Sequence, residues 1–242
     1  NLDTANYAFN SIKRAIDTVK DPEFVECNIM TIPGVTNTNL TQHMIDTCED
    51  RADALAIIDL PKVYTPFTDS TETFQDRNDF TIRECVDNLR SRGINSSYAC
   101  TYYPWVQVLD NISNQLLWAP PSVVALGTLA SSEAKSEVWF APAGFNRGGL
   151  TEDAGGWPVT NITKRLTSKD RDNLYEASIN PIATFPSEGI VVFGQKTLQV
   201  TQSALDRINV RRLLIFIKKQ VSRISSGILF DQNVQVTWNR FL

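Results

Sequence analysis

The stretch GFNRGGLT, from Gly144 to Thr151, is one residue short of a phosphate-binding loop. Such a loop has the pattern G-x-x-x-x-G-K-[ST], in which backbone N–H groups and the lysine hold phosphates and the hydroxyl binds Mg²⁺. Leu150 stands at the lysine position, and its apolar side chain supplies no charge. We therefore predict that this loop binds no nucleotide, and that its glycines serve a positive φ or the close approach of another segment.

Residues for nucleophilic, acid–base or metal chemistry are sparse. His43 is the single histidine, and no G-x-S-x-G motif accompanies it, so we expect a structural or surface role. The cysteines at 27, 48, 85 and 100 form no C-x-x-C pair, and we predict buried free thiols. The sequence nominates no catalytic, cofactor-binding or metal-binding residue. A pair of carboxylates carries no diagnostic spacing, so an α/β enzyme with such a site stays an alternative.

The strongest helical pattern spans residues 203–229. At about 100° per residue, its apolar side chains fall on one side, namely Val210, Leu213, Leu214, Ile217, Val221 and Ile224. The basic side chains fall on the other side, namely Arg211, Arg212, Lys218, Lys219 and Arg223. We expect the apolar side to pack on a sheet and the basic side to face solvent or an acidic partner. Nucleic acid is disfavoured as that partner because no aromatic residues alternate with the basic ones.

Helical and strand patterns alternate along the first half of the chain. The predicted helices are TANYAFNSIKRAIDTV, NLTQHMIDTCEDRADA and TIRECVDNLRSRG, and the predicted strands are VECNIMTIPG, ALAIIDLP and SSYACTYYPWVQVLD. Thr81 and Glu84 form a capping box that should begin the third helix, and Gly93 should end it. The polar residues 64–79 before it are typical of a surface loop. The alternation indicates an α/β fold with a mixed sheet flanked by helices.

The second half has its own pattern and charge. We predict helices in APPSVVALGTLASSEAKS and LTSKDRDNLYEAS, and two strands around a turn in INPIATFPSEGIVVFGQKTL. We divide the chain into an α/β part, residues 1–120, and a C-terminal part packed on it, residues 121–242. Residues 1–110 hold 9 Lys and Arg against 17 Asp and Glu, a net of −8, and residues 111–242 hold 14 against 10, a net of +4. This polarity suits head-to-tail association of identical copies.

Six motifs occur in order and together resemble the tail sheath proteins of contractile-tailed bacteriophages, of the myovirus type. They are YYPWVQV at 102–108, APPSVVALG at 119–127, WFAPAG at 139–144, INPIATFPSEGIVVFGQKTL at 179–198, INVRRLLIFIKKQV at 208–221 and LFDQNVQVTW at 229–238. The resemblance implies a sheath core with an α+β C-terminal part, in a fragment that lacks the N- and C-terminal arms. It also implies that the basic side chains include contacts to the inner tube or to a neighbouring subunit, namely Arg211, Arg212, Lys218, Lys219 and Arg223, together with Arg147.

The function that the resemblance implies is structural, not enzymatic, and needs no cofactor. Sheath subunits polymerise around an inner tail tube and contract to drive the tube through the host envelope. The expected partners are other sheath subunits, the inner tube protein, and baseplate and tail terminator proteins, with no nucleic acid and no membrane insertion. The expected place is the virion tail, after assembly in the host cytoplasm. A sheath of a related non-phage injection machine is a further alternative.

Overall fold

The computed structural model describes residues 6–60, 74–110, 112–151 and 158–241. Its helices are α1 (Tyr7–Thr18), α2 (Thr38–Arg51), α3 (Phe74–Ser91), α4 (Pro121–Lys135), α5 (Ser168–Glu176), α6 (Ile208–Ser226) and α7 (Gln235–Phe241). Its strands are β1 (Ile29–Thr31), β2 (Leu55–Ile58), β3 (Ala99–Tyr103), β4 (Val106–Asp110), β5 (Gln115–Ala119), β6 (Val159–Ile162), β7 (Asn180–Phe185) and β8 (Gly189–Val192).

Five strands form the central sheet, in the order β1-β2-β3-β7-β8. The first four run parallel, and β8 pairs antiparallel with β7 through a tight hairpin. A smaller antiparallel sheet has the order β5-β4-β6. The predicted α/β class with a mixed sheet flanked by helices is confirmed. Strands from both sides of residue 120 share the central sheet, so the division at that residue stays a proposal about organisation.

The central sheet buries both of its faces. In β2, Ala56 and Ile58 point into a core beneath α1, α2, α3 and α5. Leu55 and Ile57 point the other way, into a core shared with α4, α6 and the small sheet. All four side chains are buried, as expected for a parallel strand covered on both sides. Each fully buried Leu or Ile contributes roughly 1.5–3 kcal/mol, so these two cores supply most of the stabilisation.

Local capping explains where two helices begin. Asn37 precedes α2, and its side chain accepts hydrogen bonds from the N–H groups of Asn39 and Leu40. Thr167 and Asp170 form a reciprocal capping box at the start of α5. These side chains satisfy N–H groups that the first turn of a helix leaves without a partner.

Helix α3 begins earlier than its sequence indicated. It starts at Phe74, so the predicted start at the Thr81–Glu84 capping box is wrong, and the predicted loop is wrong from residue 74 onward. Residues 61–73 lie outside the described residues. Four apolar side chains of α3 are buried and pack in the core, namely Ile82, Cys85, Val86 and Leu89. Gly93 has the positive φ, 60°, that was expected just past the helix end.

Three elements of the structure were not predicted from the sequence, and one predicted strand is two strands in the structure. The run SSYACTYYPWVQVLD divides at Pro104 into β3 and β4, which belong to different sheets. Strands β5 and β6 and helix α7 were not predicted. The side chains of β5 are mostly exposed, so it lacks the apolar alternation that marks a half-buried strand.

Asp59, directly after β2, ties the end of the sheet to α4. Its carboxylate accepts hydrogen bonds from the Ser122 N–H at 3.2 Å, the Ser122 hydroxyl at 2.7 Å and the Gly34 N–H at 2.9 Å. Ser122 lies in the first turn of α4, so Asp59 acts as a cap supplied by another element. Burial raises the pKa of Asp59, although the three donated hydrogen bonds oppose this effect.

We expect this raised pKa to appear in the pH dependence of stability. The folded state binds the Asp59 proton more tightly than the unfolded chain, whose carboxyl titrates near 3.8. The contribution of Asp59 to the free energy of unfolding therefore falls as the pH rises from below 3.8 through the folded pKa. Asp59→Asn cannot titrate, so its stability relative to the wild type should improve with rising pH in urea unfolding. Asp50→Asn, at an exposed position, is the control, and a pH-independent difference for Asp59→Asn would contradict the assignment.

Candidate functional site

The first half of the basic side of α6 is buried against the protein's own body, whereas Lys218 and Arg223 in the second half are exposed. Arg211 and Arg212 are buried, with Arg212 only 2% exposed. The Arg212 guanidinium donates to the Glu133 carboxylate of α4 at 2.7 Å, and Arg211 lies 4.0 Å from the centre of the Tyr98 ring and donates to the Ser97 hydroxyl. Burial lowers the pKa of both arginines. The expectation that this side faces solvent is therefore wrong for these two residues.

The second half of the basic side binds groups around the start of β1. Lys218 donates to the Arg51 carbonyl at 3.4 Å. Lys219 donates to the Cys27 carbonyl, and its ammonium lies 3.7 Å from the Asp53 carboxylate. Arg223 forms an ion pair with Glu26 at 3.2 Å, in which both side chains are mostly exposed. All five basic side chains of α6 thus have a partner within their own chain.

The apolar side of α6 is turned outward. Leu214, Ile217, Val221 and Ile224 are each 41–50% exposed, whereas Ile215 is 4% exposed. The exposed apolar side chains continue beyond the helix at Leu229, Phe230, Val234, Val236 and Trp238. We call the four side chains on α6 the outer apolar row. The prediction that the apolar side packs on the sheet is wrong for these four residues, because the acids and carbonyls that hold the basic side come from distant parts of the sequence. Val210 and Leu213 of the predicted apolar side are half-buried.

The glycine loop serves backbone geometry, as predicted. Gly144 has φ of 81°, and its N–H donates to the Val192 carbonyl at 2.9 Å. Val192 in turn donates to the Gly148 carbonyl at 2.8 Å, so the loop is attached to β8. A Cβ on Gly148 would lie 2.6 Å from the Val192 oxygen. Leu150, at the lysine position of a phosphate-binding loop, is fully buried in the core, so its side chain packs and does not face a ligand.

Arg147 in the same loop is held by local contacts. Its Nε donates to the Ala141 carbonyl at 3.1 Å, and its guanidinium lies 4.9 Å from the centre of the Phe140 ring. The side chain is half-buried. Whether it contacts another subunit stays a prediction.

The residues singled out for chemistry have structural surroundings. His43 Nε2 lies 2.7 Å from Asp17 Oδ1 and joins α2 to α1. The cysteines are free thiols, and Cys48, Cys85 and Cys100 are buried while Cys27 is half-buried. Within the described ranges, no group of three or more His, Cys, Asp or Glu side chains is placed to hold a metal ion. The helices in those ranges also include none that is long and apolar enough to span a membrane.

We expect Gly148→Ala to destabilise the fold and Gly149→Ala to leave it nearly unchanged. The added methyl at residue 148 meets backbone atoms of Val192 and Gly144, which cannot move aside cheaply, whereas nothing lies within 4 Å of a Cβ on Gly149. The cost at residue 148 should be about 1–3 kcal/mol in chemical unfolding. Equal stabilities of the two variants would show that the loop is not attached closely to β8.

A second matched pair tests the orientation of α6. Ile215 and Ile217 are two residues apart on one helix, but Ile215 is buried and Ile217 belongs to the outer apolar row. We expect Ile215→Ala to lower the free energy of unfolding by about 2–5 kcal/mol. Ile217→Ala should cost about 1 kcal/mol or less in a monomeric state. If Ile217→Ala lowered the free energy of unfolding more than Ile215→Ala, the apolar side of α6 would face inward, as the sequence predicted.

Comparison with known proteins places this chain in one family. The sequence model described as "Phage tail sheath protein central domain" matches residues 9–198. The tail sheath protein of Vibrio phage KVP40 is 34% identical over 156 residues, covering 64% of this chain and 22% of that protein. The tail sheath protein of Enterobacteria phage T4 is 27% identical over 209 residues, covering 85% of this chain and 30% of that protein. The chain thus spans less than a third of the length of these curated relatives.

The fold is shared with a solved sheath structure. The PVC sheath complex of an extracellular contractile injection system, in its contracted state, superposes with a TM-score of 0.65 at 21% identity, covering 93% of this chain and 55% of that one. The family model matches most of the chain, and the solved sheath structure has the same architecture. The chain belongs to the phage tail sheath protein family.

Proposed function

We propose that this chain is part of a structural subunit of a contractile tail sheath. The subunit polymerises around an inner tail tube and contracts to drive the tube through the host envelope. The observation that carries the proposal, beyond membership of the family, is the outer apolar row of α6. A single subunit leaves these four side chains half-exposed, which is the state expected of a surface that another molecule covers.

The energetics of α6 favour assembly over a solitary role. Burial of apolar surface contributes roughly 25 cal/mol per Å² removed from water. The outer apolar row and the exposed side chains beyond it, such as Phe230 and Trp238, gain this term only when a partner covers them. A polymer repeats the gain in every subunit, so a modest contribution per copy suffices to hold the assembly.

The basic residues named from the sequence differ in how readily they could contact another molecule. Lys218 and Arg223 are exposed enough to reach a tube or a neighbouring subunit, and we keep them as proposed contacts together with Lys219 and Arg147. Arg211 and Arg212 would first have to leave their buried partners in their own chain. Exposed ion pairs contribute about 0–1 kcal/mol each, so these contacts tune the assembly and do not hold it alone.

The remaining partners follow from the sheath role. We propose contacts with the inner tube protein and with baseplate and tail terminator proteins, in a virion tail assembled in the host cytoplasm. The tail sheath proteins of phages KVP40 and T4 support a phage over a non-phage injection machine. We also propose that the protein is not an enzyme. Among the described residues, Asp59 is the carboxyl whose pKa is raised by burial. Its oxygens already accept hydrogen bonds from Gly34 and Ser122, so this carboxyl is engaged in holding the fold.

Electron microscopy of the intact protein alone tests the proposed function. We expect tubular polymers, and we expect Ile217→Glu with Val221→Glu to abolish them, because two charges in the outer apolar row cannot be buried without partners. Ile112→Glu, at a fully exposed position between β4 and β5, is the control and should polymerise as the wild type does. A wild-type protein that stays monomeric at all concentrations, or polymers that tolerate the double substitution, would contradict the proposal.

A further inference from the structure

An exposed aromatic side chain stands at one edge of the central sheet. The turn between α1 and β1 carries Phe24, which is 76% exposed. Three carboxylates surround it in sequence, Asp21, Glu23 and Glu26, and all three are exposed. The turn is held in place, because Asp21 accepts a hydrogen bond from the Glu23 N–H and Arg51 donates to the Val25 carbonyl at 2.9 Å. A fixed acidic turn thus presents an apolar tip to solvent.

A cavity of about 490 Å³ lies at the other edge of the same sheet. Its aromatic wall comes from Phe193, just after β8, and Tyr175 of α5. Phe193 belongs to a surface cluster in which its ring centre lies 4.9 Å from that of Phe185 and 5.8 Å from that of Phe145. Cavities of this volume, with apolar walls and a few polar groups, are typical of sites that receive a side chain or a small ligand.

One cation at this cavity complements the acidic turn. Arg171, Arg207 and Asp172 line the cavity. Arg207 pairs with Asp206 at 3.2 Å, so Arg171 is the described lining cation that remains for a carboxylate of a second copy. The Arg171 guanidinium lies 5.1 Å from the Phe185 ring centre and 5.8 Å from that of Phe193. Within the part of the chain that the structure describes, no carboxylate forms an ion pair with Arg171. Arginine stacked on aromatic rings is a frequent anchor in protein interfaces, because its planar group is held in position for a carboxylate.

The positions of the two features determine what kind of assembly they produce. The turn lies beside β1, and the cavity lies beside β7 and β8, at the opposite edge of the five-stranded sheet. A turn cannot therefore fill the cavity of its own chain. When the turn of one copy docks into the cavity of another, the pair keeps one free turn and one free cavity. Such a head-to-tail contact repeats through further copies.

We propose that the turn of residues 21–26 docks into this cavity of a second copy of the chain. Phe24 enters between Phe193 and Tyr175, and Glu23 pairs with Arg171. This inference rests on the proposed function, since it assigns one of the contacts between sheath subunits. The proposed contact also assigns a specific pairing to the opposite net charges of the two halves of the chain. The basic side of α6 does not supply such a pairing, because its side chains bind partners within their own chain.

The test uses polymers of the intact protein, measured by sedimentation and electron microscopy. Phe24→Ser and Arg171→Glu should each raise the protein concentration needed for polymerisation by roughly tenfold or more, as expected for the loss of an interface anchor. Ile112→Ser removes an even more exposed apolar side chain elsewhere and should leave that concentration unchanged. Glu23→Arg should weaken assembly as Arg171→Glu does, and the two changes in one chain should restore it, because the pair is re-formed with its charges exchanged.

The outcomes separate this inference from the function on which it rests. Polymerisation of the Phe24→Ser and Glu23→Arg variants at the wild-type concentration would overturn the docking inference and leave the sheath function standing. Because Phe24 and Glu23 are exposed, these two variants should unfold at the wild-type temperature, so a folding defect cannot imitate the expected loss. A charge exchange that fails to restore assembly would also overturn the inference. A wild-type protein without polymers would contradict both.

Discussion

The buried ion pair between Arg51 and Asp53 is the interaction on which the β1 edge of the structure depends. Arg51 ends α2, its side chain is inaccessible to solvent, and it forms two hydrogen bonds to the Asp53 carboxylate, at 2.8 and 3.0 Å. The same guanidinium donates to the carbonyls of Val19 and Val25, and the hydrogen bond to Asp53 raises the pKa of Arg51. One charged group thereby fixes the segment between α1 and β1. Loss of one partner of such a pair costs roughly 3–5 kcal/mol, because the other charge is left buried without compensation.

The orientation of α6 follows from this pair. Lys219 approaches Asp53 Oδ2, the oxygen that also accepts from Arg51, and Lys218 donates to the carbonyl of Arg51 itself. A helix with one basic and one apolar side can turn only one of them towards the body. Here the acids and carbonyls of the β1 edge, together with Glu133 on α4, hold the basic side inward. The outer apolar row is therefore a consequence of electrostatics within the subunit, and its exposure leaves apolar surface that the proposed sheath neighbours would cover.

How far the sequence predicts this structure depends on whether the deciding contacts are local. The helices predicted over α2 and α5 and the glycine after α3 rest on local patterns, and the structure confirms them. The helical wheel of α6 is also local, and it correctly separates basic from apolar side chains. Which side faces inward depends on Glu26, Asp53 and Glu133, more than 70 residues away in sequence, and no local pattern contains that information. The start of α3 at Phe74 likewise overrides a capping signal that was plausible by itself.

The distribution of interaction types suits a subunit that keeps its shape while its contacts change. Buried ion pairs and hydrogen bonds are directional, and the structure places them inside the chain, where they hold α6, α2 and the β1 edge together. Contacts between apolar side chains are non-directional, so a partner that shifts along such a surface loses little free energy until surface is uncovered. Exposed ion pairs such as Arg223–Glu26 are weak and easily screened by salt. The same row of side chains on α6 can therefore be covered in more than one arrangement of neighbouring molecules, whereas the body of the subunit has one.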